Sequence, residues 1–368
     1  MSTPGDAGSL YVRMAELVAV GQAFAVATVV RTEGSTPQSI GARMVVTAGE
    51  SERPVGTLGG GCVEADAILA ARAIIGRGER VLHVHQLNEE LAWNTGLVCG
   101  GTMWILVEDG PAAVSCGGRD ILPDAVAATQ GGPAVAVVTR LARGDRQTMT
   151  FAARAVVLAG GRLIGSVGER SLDERVREAA IEQMRLGTPR VISADESSDV
   201  LIEPIVRRPR LIVAGGGHVA KAIAHQARLL DFDVTILEDR PAFADPARFN
   251  GAEVLTGHVP DTIASLDYHD QTWLIVATRG HKLDGDCVLA AARTPVRYIG
   301  LLGSRRKTIL IADMLRDEGV PEDRIAVVRA PVGLDLGGRT PAEIALAILA
   351  EITQMRHGGS GAPLARLQ

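Results

Sequence analysis

Aromatic side chains make up only 3% of the 368 residues, and the net charge is −5 rather than positive. Single-stranded nucleic acid is held on aromatic platforms in a basic groove, and duplexes by clustered Lys and Arg, so neither partner is expected. Cysteine is scarce as well, with four residues and no C-x-x-C pair. That excludes a disulfide scaffold, weakens a zinc ribbon and leaves too few ligands for two iron–sulfur clusters. No uninterrupted run of 18 apolar residues occurs, so no membrane span is expected. The opening MSTPGDAGSLYVRM lacks a basic stretch followed by an apolar core, so no signal peptide is read and a cytoplasmic location is expected. What the chain does have is glycine, 42 residues of it, which suits tight turns and close backbone approach to ligands. Its length predicts two or three domains, and 46% hydrophobic with 22% charged residues is an ordinary globular balance.

The first half reads as a duplication. Ala25 to Arg31 (AVATVVR) matches Ala134 to Arg140 (AVAVVTR) at five of seven positions, and at the same offset of 109 GTLGGGCVE aligns with GSVGERSLD. Each copy reads as strand, hairpin, glycine turn, helix, strand. The copies differ at one informative place. The first has Gly59-Gly60-Gly61-Cys62 where the second has Gly168-Glu169-Arg170-Ser171. A thiol on a bare backbone at a helix start lies in the field that binds anions and favours thiolate, so Cys62 is a candidate reactive or ligating group. Cys99, in GLVCGGTMWILVE, is a second glycine-flanked cysteine. Cys116 reads as incidental and Cys287 as a helical core position.

The second half changes character after the basic linker IVRRPR. An apolar strand, Leu211 to Ala214, ends in Gly215-Gly216-Gly217-His218-Val219-Ala220, a G-x-G-x-x-A pattern opening a helix. The next strand ends at Glu238-Asp239, where a carboxylate contacting a ribose hydroxyl is expected, followed by Arg240. Further strands end at Thr278-Arg279-Gly280-His281-Lys282-Leu283-Asp284 and at Gly303-Ser304-Arg305-Arg306-Lys307. Ser304 with three basic residues at a helix start suits an anionic group. Thr340-Pro341-Ala342-Glu343 reads as a capping box. The expected fold class is α/β, an N-terminal duplicated α/β region followed by a C-terminal Rossmann-like doubly wound parallel sheet. The expected boundaries are 1–205, with related units at 10–110 and 111–205, then 206–356, then a mobile tail at 357–368.

The stretches GSTPQSIGARMVV, GTLGGGCVE, LVCGGTMWILVE, LIVAGGGHVAKAIA, ILEDRPAF, YIGLLGSRRK and PVGLDLGGRTPAEIALAILAEI make the chain similar to the XdhC/CoxI family, the xanthine dehydrogenase accessory proteins. The resemblance implies a chaperone that binds molybdenum cofactor (molybdopterin) as cargo and assists its sulfuration, with a cysteine desulfurase as a further partner. Delivery would be to the apoenzyme of a molybdenum hydroxylase of the xanthine, aldehyde or carbon monoxide dehydrogenase type. Under it, Cys62 and Cys99 are candidate molybdenum ligands, and with His281 they are candidate reactive groups. Gly59, Gly60, Gly61, Gly215, Gly217, His218, Glu238, Asp239, Arg240, Asp284, Ser304 and Arg305 are candidate cofactor contacts. Family members carry T-H-x-H after the fourth strand, whereas this chain has Thr278-Arg279-Gly280-His281, so only His281 and Asp284 carry over.

Two other readings stand beside this one. The Rossmann unit could bind NAD(P) in an oxidoreductase, with Glu238 favouring NAD, or it could serve an interaction scaffold that binds a nucleotide only for structure. A homo-oligomer, most simply a dimer, is expected without residue-level support.

Overall fold

A computed structural model describes residues 7–49, 52–87, 100–145, 148–249 and 251–363. The chain divides into two compact units between Arg207 and Arg208, inside the basic proline-containing stretch.

The first unit opens with α1 (Ala7–Ala19), then β1 (Phe24–Glu33), β2 (Arg43–Thr47), β3 (Val55–Gly56), α2 (Gly61–Ile74), β4 (Arg80–Gln86) and β5 (Thr102–Asp109). After α3 (Gly110–Ala113), the short β6 (Ser115–Cys116) and β7 (Arg119–Asp120), and α4 (Leu122–Thr129), the series repeats. It gives β8 (Val135–Arg143), β9 (Met149–Leu158), β10 (Leu163–Gly165), α5 (Arg170–Leu186), β11 (Arg190–Asp195) and β12 (Ser198–Ile205). Two five-stranded antiparallel sheets result, with orders β3-β2-β1-β5-β4 and β10-β9-β8-β12-β11. The strand order is the same in both, as a duplication requires.

Alternating side chains give each sheet two apolar faces. One face of the first sheet packs on Val63, Ala67, Ala71 and Ile74 of α2, which recur at helical spacing, and the corresponding face of the second packs on α5. The other faces share cores, one holding Val30, Trp104 and Leu106 with Leu141, Met149 and Leu201. The unit is therefore a helix–sheet–sheet–helix sandwich.

The hydrogen-bonded register refines the repeat. Thr28 opposes Arg43 in the first hairpin and Thr139 opposes Arg154 in the second, an offset of 111, while Gly56 and Gly165 keep 109. A slip of two preserves which face each side chain takes, so the apolar pattern tolerates it.

The two copies also exchange charges reciprocally. Arg43 Nε donates to Thr28 and its NH2 to Glu203 of the second sheet at 2.8 Å. Arg154 Nε donates to Thr139 and its NH2 to Glu108 of the first sheet at 2.7 Å. All four charged side chains are 10% exposed or less, so this is a buried ionic lattice. Burial pushes the Glu203 carboxyl up, opposed by Arg43 and Arg154.

The second unit holds β13 (Arg210–Ala214), α6 (His218–Leu229), β14 (Asp233–Glu238), β15 (Glu253–Thr256), α7 (Val259–Ser265), β16 (Thr272–Val276), α8 (His281–Ala292), β17 (Ile299–Leu301), α9 (Arg305–Asp317), α10 (Glu322–Ile325), β18 (Val328–Arg329) and α11 (Pro341–His357). Its six strands are all parallel in the order β15-β14-β13-β16-β17-β18, the doubly wound Rossmann arrangement. Helices α6 and α11 cover one face, α7, α8 and α9 the other. The capping box at Thr340 and Glu343 is formed, and Cys287 is fully buried. Helix α11 runs through His357 to a left-handed Gly358 cap, one residue into the segment expected as a tail. Among the described residues no helix is long and apolar enough to cross a membrane.

Candidate functional site

Three consecutive left-handed glycines precede Cys62. Gly59, Gly60 and Gly61 have φ of 105°, 77° and 66°, a path L side chains rarely follow. A β-carbon on Gly59 would lie 2.7 Å from Pro37, while one on Gly60 would meet nothing within 4 Å. The turn thus packs on one side and leaves its backbone bare on the other. Cys62 follows in the first turn of α2, with its thiol exposed.

Glu64, absent from the sequence-derived candidates, holds this turn. Its Oε2 accepts from Leu58 N and Gly60 N, both at 3.0 Å, and from Thr57 Oγ1 at 2.8 Å, while Gly59 N donates to Thr57 Oγ1. Burial pushes the Glu64 carboxyl up, but these bonds outweigh it and hold the group below its ordinary value. The second copy repeats the device, with Asp173 accepting from Val167 N and Ser166 Oγ and Gly168 N donating to Ser166. The Glu-to-Asp correspondence at offset 109 was the available signal. One expectation needs correction: the amides of Gly59 and Gly60 are already bonded inside the turn, so the turn is not an open anion cradle. What distinguishes the first copy is the thiol and the unobstructed backbone beside it.

Cys99 lies outside the described residues. The neighbouring Gly100-Gly101 leads into β5 at the same end of the sheet as the Gly59 turn. The loop after β1 touches both, since a β-carbon on Gly34 would lie 3.1 Å from Gly101 and Pro37 abuts Gly59. Cys116 is buried against the carbonyls of Arg154 and Ile164, and burial pushes its thiol up. Among the described residues, no group of three His, Cys, Asp or Glu is placed to hold a metal ion.

In the second unit, Gly215 has φ 114° and a β-carbon there would stand 2.4 Å from the Ala277 carbonyl, so the strand-to-helix turn demands glycine. Gly217 borders open space and His218 begins α6, exposed. Glu238 is not an available ribose acceptor as arranged. It is 2% exposed, and its oxygens accept from Gly216 N at 2.6 Å, Arg240 N at 3.0 Å and the Arg240 guanidinium at 2.8 Å twice. Burial opposes its charge, but Arg240 leads the hydrogen bonds that bring its pKa down to about 2. Asp239 is the exposed acid at this strand end, with Arg279 3.9 Å away. Asp284 is likewise spent: 2% exposed, it accepts from Thr278 Oγ1 at 2.5 Å and pairs with buried Lys307, joining the starts of α8 and α9. His281 and Arg305 open those two helices, and Ser304 caps α9 by accepting from Lys307 N.

A family model described as the XdhC and CoxI family matches residues 17–85, and one described as the XdhC Rossmann domain matches 211–352. The Gly59–Cys62 turn falls within the first and the Gly215–Arg305 edge within the second. Among curated relatives, the uncharacterized protein YqeB of Escherichia coli is 31% identical over 231 residues, 58% of this chain and 42% of that protein, so the match spans less than half of that relative. A Bacillus subtilis protein described as a probable component of xanthine dehydrogenase is 25% identical over 95% of this chain and 98% of its own. The molybdenum cofactor insertion chaperone PaoD of E. coli is 26% identical over 93% and 86%. A crystal structure described as a xanthine dehydrogenase from Bacillus halodurans superposes with TM-score 0.68 at 22% identity, covering 99% of this chain and 98% of that one, which shows a shared fold.

Proposed function

Because the chain belongs to the XdhC and CoxI family, we propose that it is a maturation factor that carries molybdenum cofactor to a molybdenum hydroxylase of the xanthine, aldehyde or carbon monoxide dehydrogenase type. The observation that carries this reading is the exposed Cys62 thiol on a turn fixed by Glu64 and left bare at Gly60. A soft thiolate suits the metal of a dithiolene-bound cofactor. The bare turn lets a bulky pterin approach the backbone without meeting a β-carbon. The second copy has the same carboxylate brace but neither the thiol nor the open glycines, which supports placing the cargo on the first. Sulfuration would take place while the cofactor is held, with a cysteine desulfurase delivering sulfur taken from L-cysteine. The dehydrogenase alternative loses Glu238 as its ribose contact, since Arg240 closes that carboxylate, and would depend on exposed Asp239 instead.

The test is activation of a client. An apo molybdenum hydroxylase, supplied with isolated cofactor, a cysteine desulfurase and L-cysteine, is expected to gain activity about 10-fold faster with the full chain present, and Cys62→Ser is expected to remove that gain. Equal activation with and without the chain would contradict the proposal.

A further inference from the structure

Helices α8 and α9 of the second unit enclose a groove of about 550 Å3 that no step above uses. Gly285 lines it: a β-carbon there would stand 3.2 Å from Met314 Sδ, a tight contact that would press on the thioether. Ile311, Met314 and Leu310 form an apolar wall. Leu310 is 63% exposed at the lip, beside the equally exposed Ile309. Lys282, Ser304 and Arg306 stand at the open end, with Asp286 as the one acid among the lining residues.

The polar groups here have donors to spare. Lys282 and Arg306 are exposed and engage no partner among the described residues. Lys307, only 8% exposed, lines the groove and donates to Asp284 and to the Leu302 carbonyl at 3.2 Å. An ammonium has three donors, so one remains unspent on a nine-tenths buried cation. The Ser304 oxygen accepts from Lys307 N, which leaves its O–H free to donate outward. With Lys307 balanced by Asp284, two exposed cations face the one lining acid Asp286, and with a hydroxyl and an apolar wall one helical turn further on they form a site with a charged end and a greasy end. A volume of this size is that of a small-molecule pocket rather than a protein-docking surface.

We propose that the α8–α9 groove binds a small molecule bearing a phosphomonoester on an apolar body. The phosphate dianion takes charge-assisted hydrogen bonds from Arg306, Lys282, Ser304 and the third Lys307 donor. The body lies along Leu310, Ile311 and Met314. A carboxylate carries half the charge and fewer acceptors, so it leaves part of this donor set unused. The inference does not rest on the carrier proposal, because every group it invokes belongs to the second unit and its probes contain neither pterin nor metal.

The experiment is calorimetric titration of the full chain with phenyl phosphate, inorganic phosphate and benzoate, on wild type, Lys282→Ala/Arg306→Ala and Leu310→Ala. All substituted side chains are exposed, and thermal melts check that each variant folds. Saturable phenyl phosphate binding is expected, weakened about tenfold or more in the double variant, with benzoate at least about tenfold weaker than phenyl phosphate. Leu310→Ala is expected to weaken phenyl phosphate while leaving inorganic phosphate unchanged. Absence of saturable phenyl phosphate binding, equal binding by the double variant, or benzoate binding as tightly as phenyl phosphate would each overturn the proposal.

Discussion

Arg154→Met is expected to lower the stability of the N-terminal unit by about 3–5 kcal/mol, the usual cost of removing one member of a buried ion pair. Arg154 is 6% exposed and bonds Glu108, Thr139 and the carbonyls of Ala112 and Ala113. Methionine fills most of the volume and satisfies none of these acceptors. The penalty therefore comes mainly from the stranded polar groups, not from a cavity. In a unit of this size the melting point should fall by about 10 °C. Glu108 keeps Arg80 as a partner at 2.7 Å, so adding Glu108→Gln should regain only part of the loss, because residues of one network are not additive. The reciprocal geometry extends the expectation to Arg43→Met, whose partner is Glu203 in the opposite copy. Urea midpoints of the three single variants and the double variant decide this; additive losses would mean that the lattice is not a coupled unit.

Glu238→Gln should destabilise the C-terminal unit by about 2 kcal/mol at neutral pH, the scale of hydrogen bonds to a charged group. It should also change how that unit responds to acid. The folded carboxyl titrates near pH 2, held there by Arg240 and the Gly216 amide against the opposing effect of burial. Its unfolded value is ordinary, so the unfolded chain takes up the proton first as pH falls. The stabilisation is fully present above the unfolded value, declines as pH drops through the window below it, and is gone once the folded group also protonates. Wild type and Glu238→Gln should therefore converge in stability as pH approaches about 2. Parallel stability curves across that window would show that the carboxylate is not held by these partners.

Local chemistry was legible in the sequence, and long-range chemistry was not. The capping box at Thr340 needs only four consecutive residues, and the Gly59-Gly60-Gly61 turn announces itself because few residues other than glycine accept those backbone angles. The parallel sheet followed from apolar runs ending in glycine and acid at regular intervals. By contrast, the Arg43–Glu203 and Arg154–Glu108 exchange joins residues from different copies, and nothing in either segment names its partner. The two-residue slip in the hairpins was hidden because an even shift keeps the apolar pattern. Glu238 and Asp284 were found at the right strand and helix ends, but composition does not tell a carboxylate facing a ligand from one sealed by Arg240 or Lys307. Glu64 was missed for a similar reason: its counterpart Asp173 at offset 109 marks the position, but what the carboxylate does shows only in its amide partners.

The most direct test of the carrier proposal exploits the difference between the two copies. Isolated molybdenum cofactor is titrated anaerobically into wild type, Cys62→Ser and Ser171→Ala, with the bound pterin quantified by fluorescence after oxidation. Wild type and Ser171→Ala should bind alike, and Cys62→Ser should bind about 10- to 100-fold more weakly, the range seen when a metal site loses one supporting group. Cofactor that binds wild type and Cys62→Ser with equal affinity would contradict the assignment of the cargo to the first-copy turn.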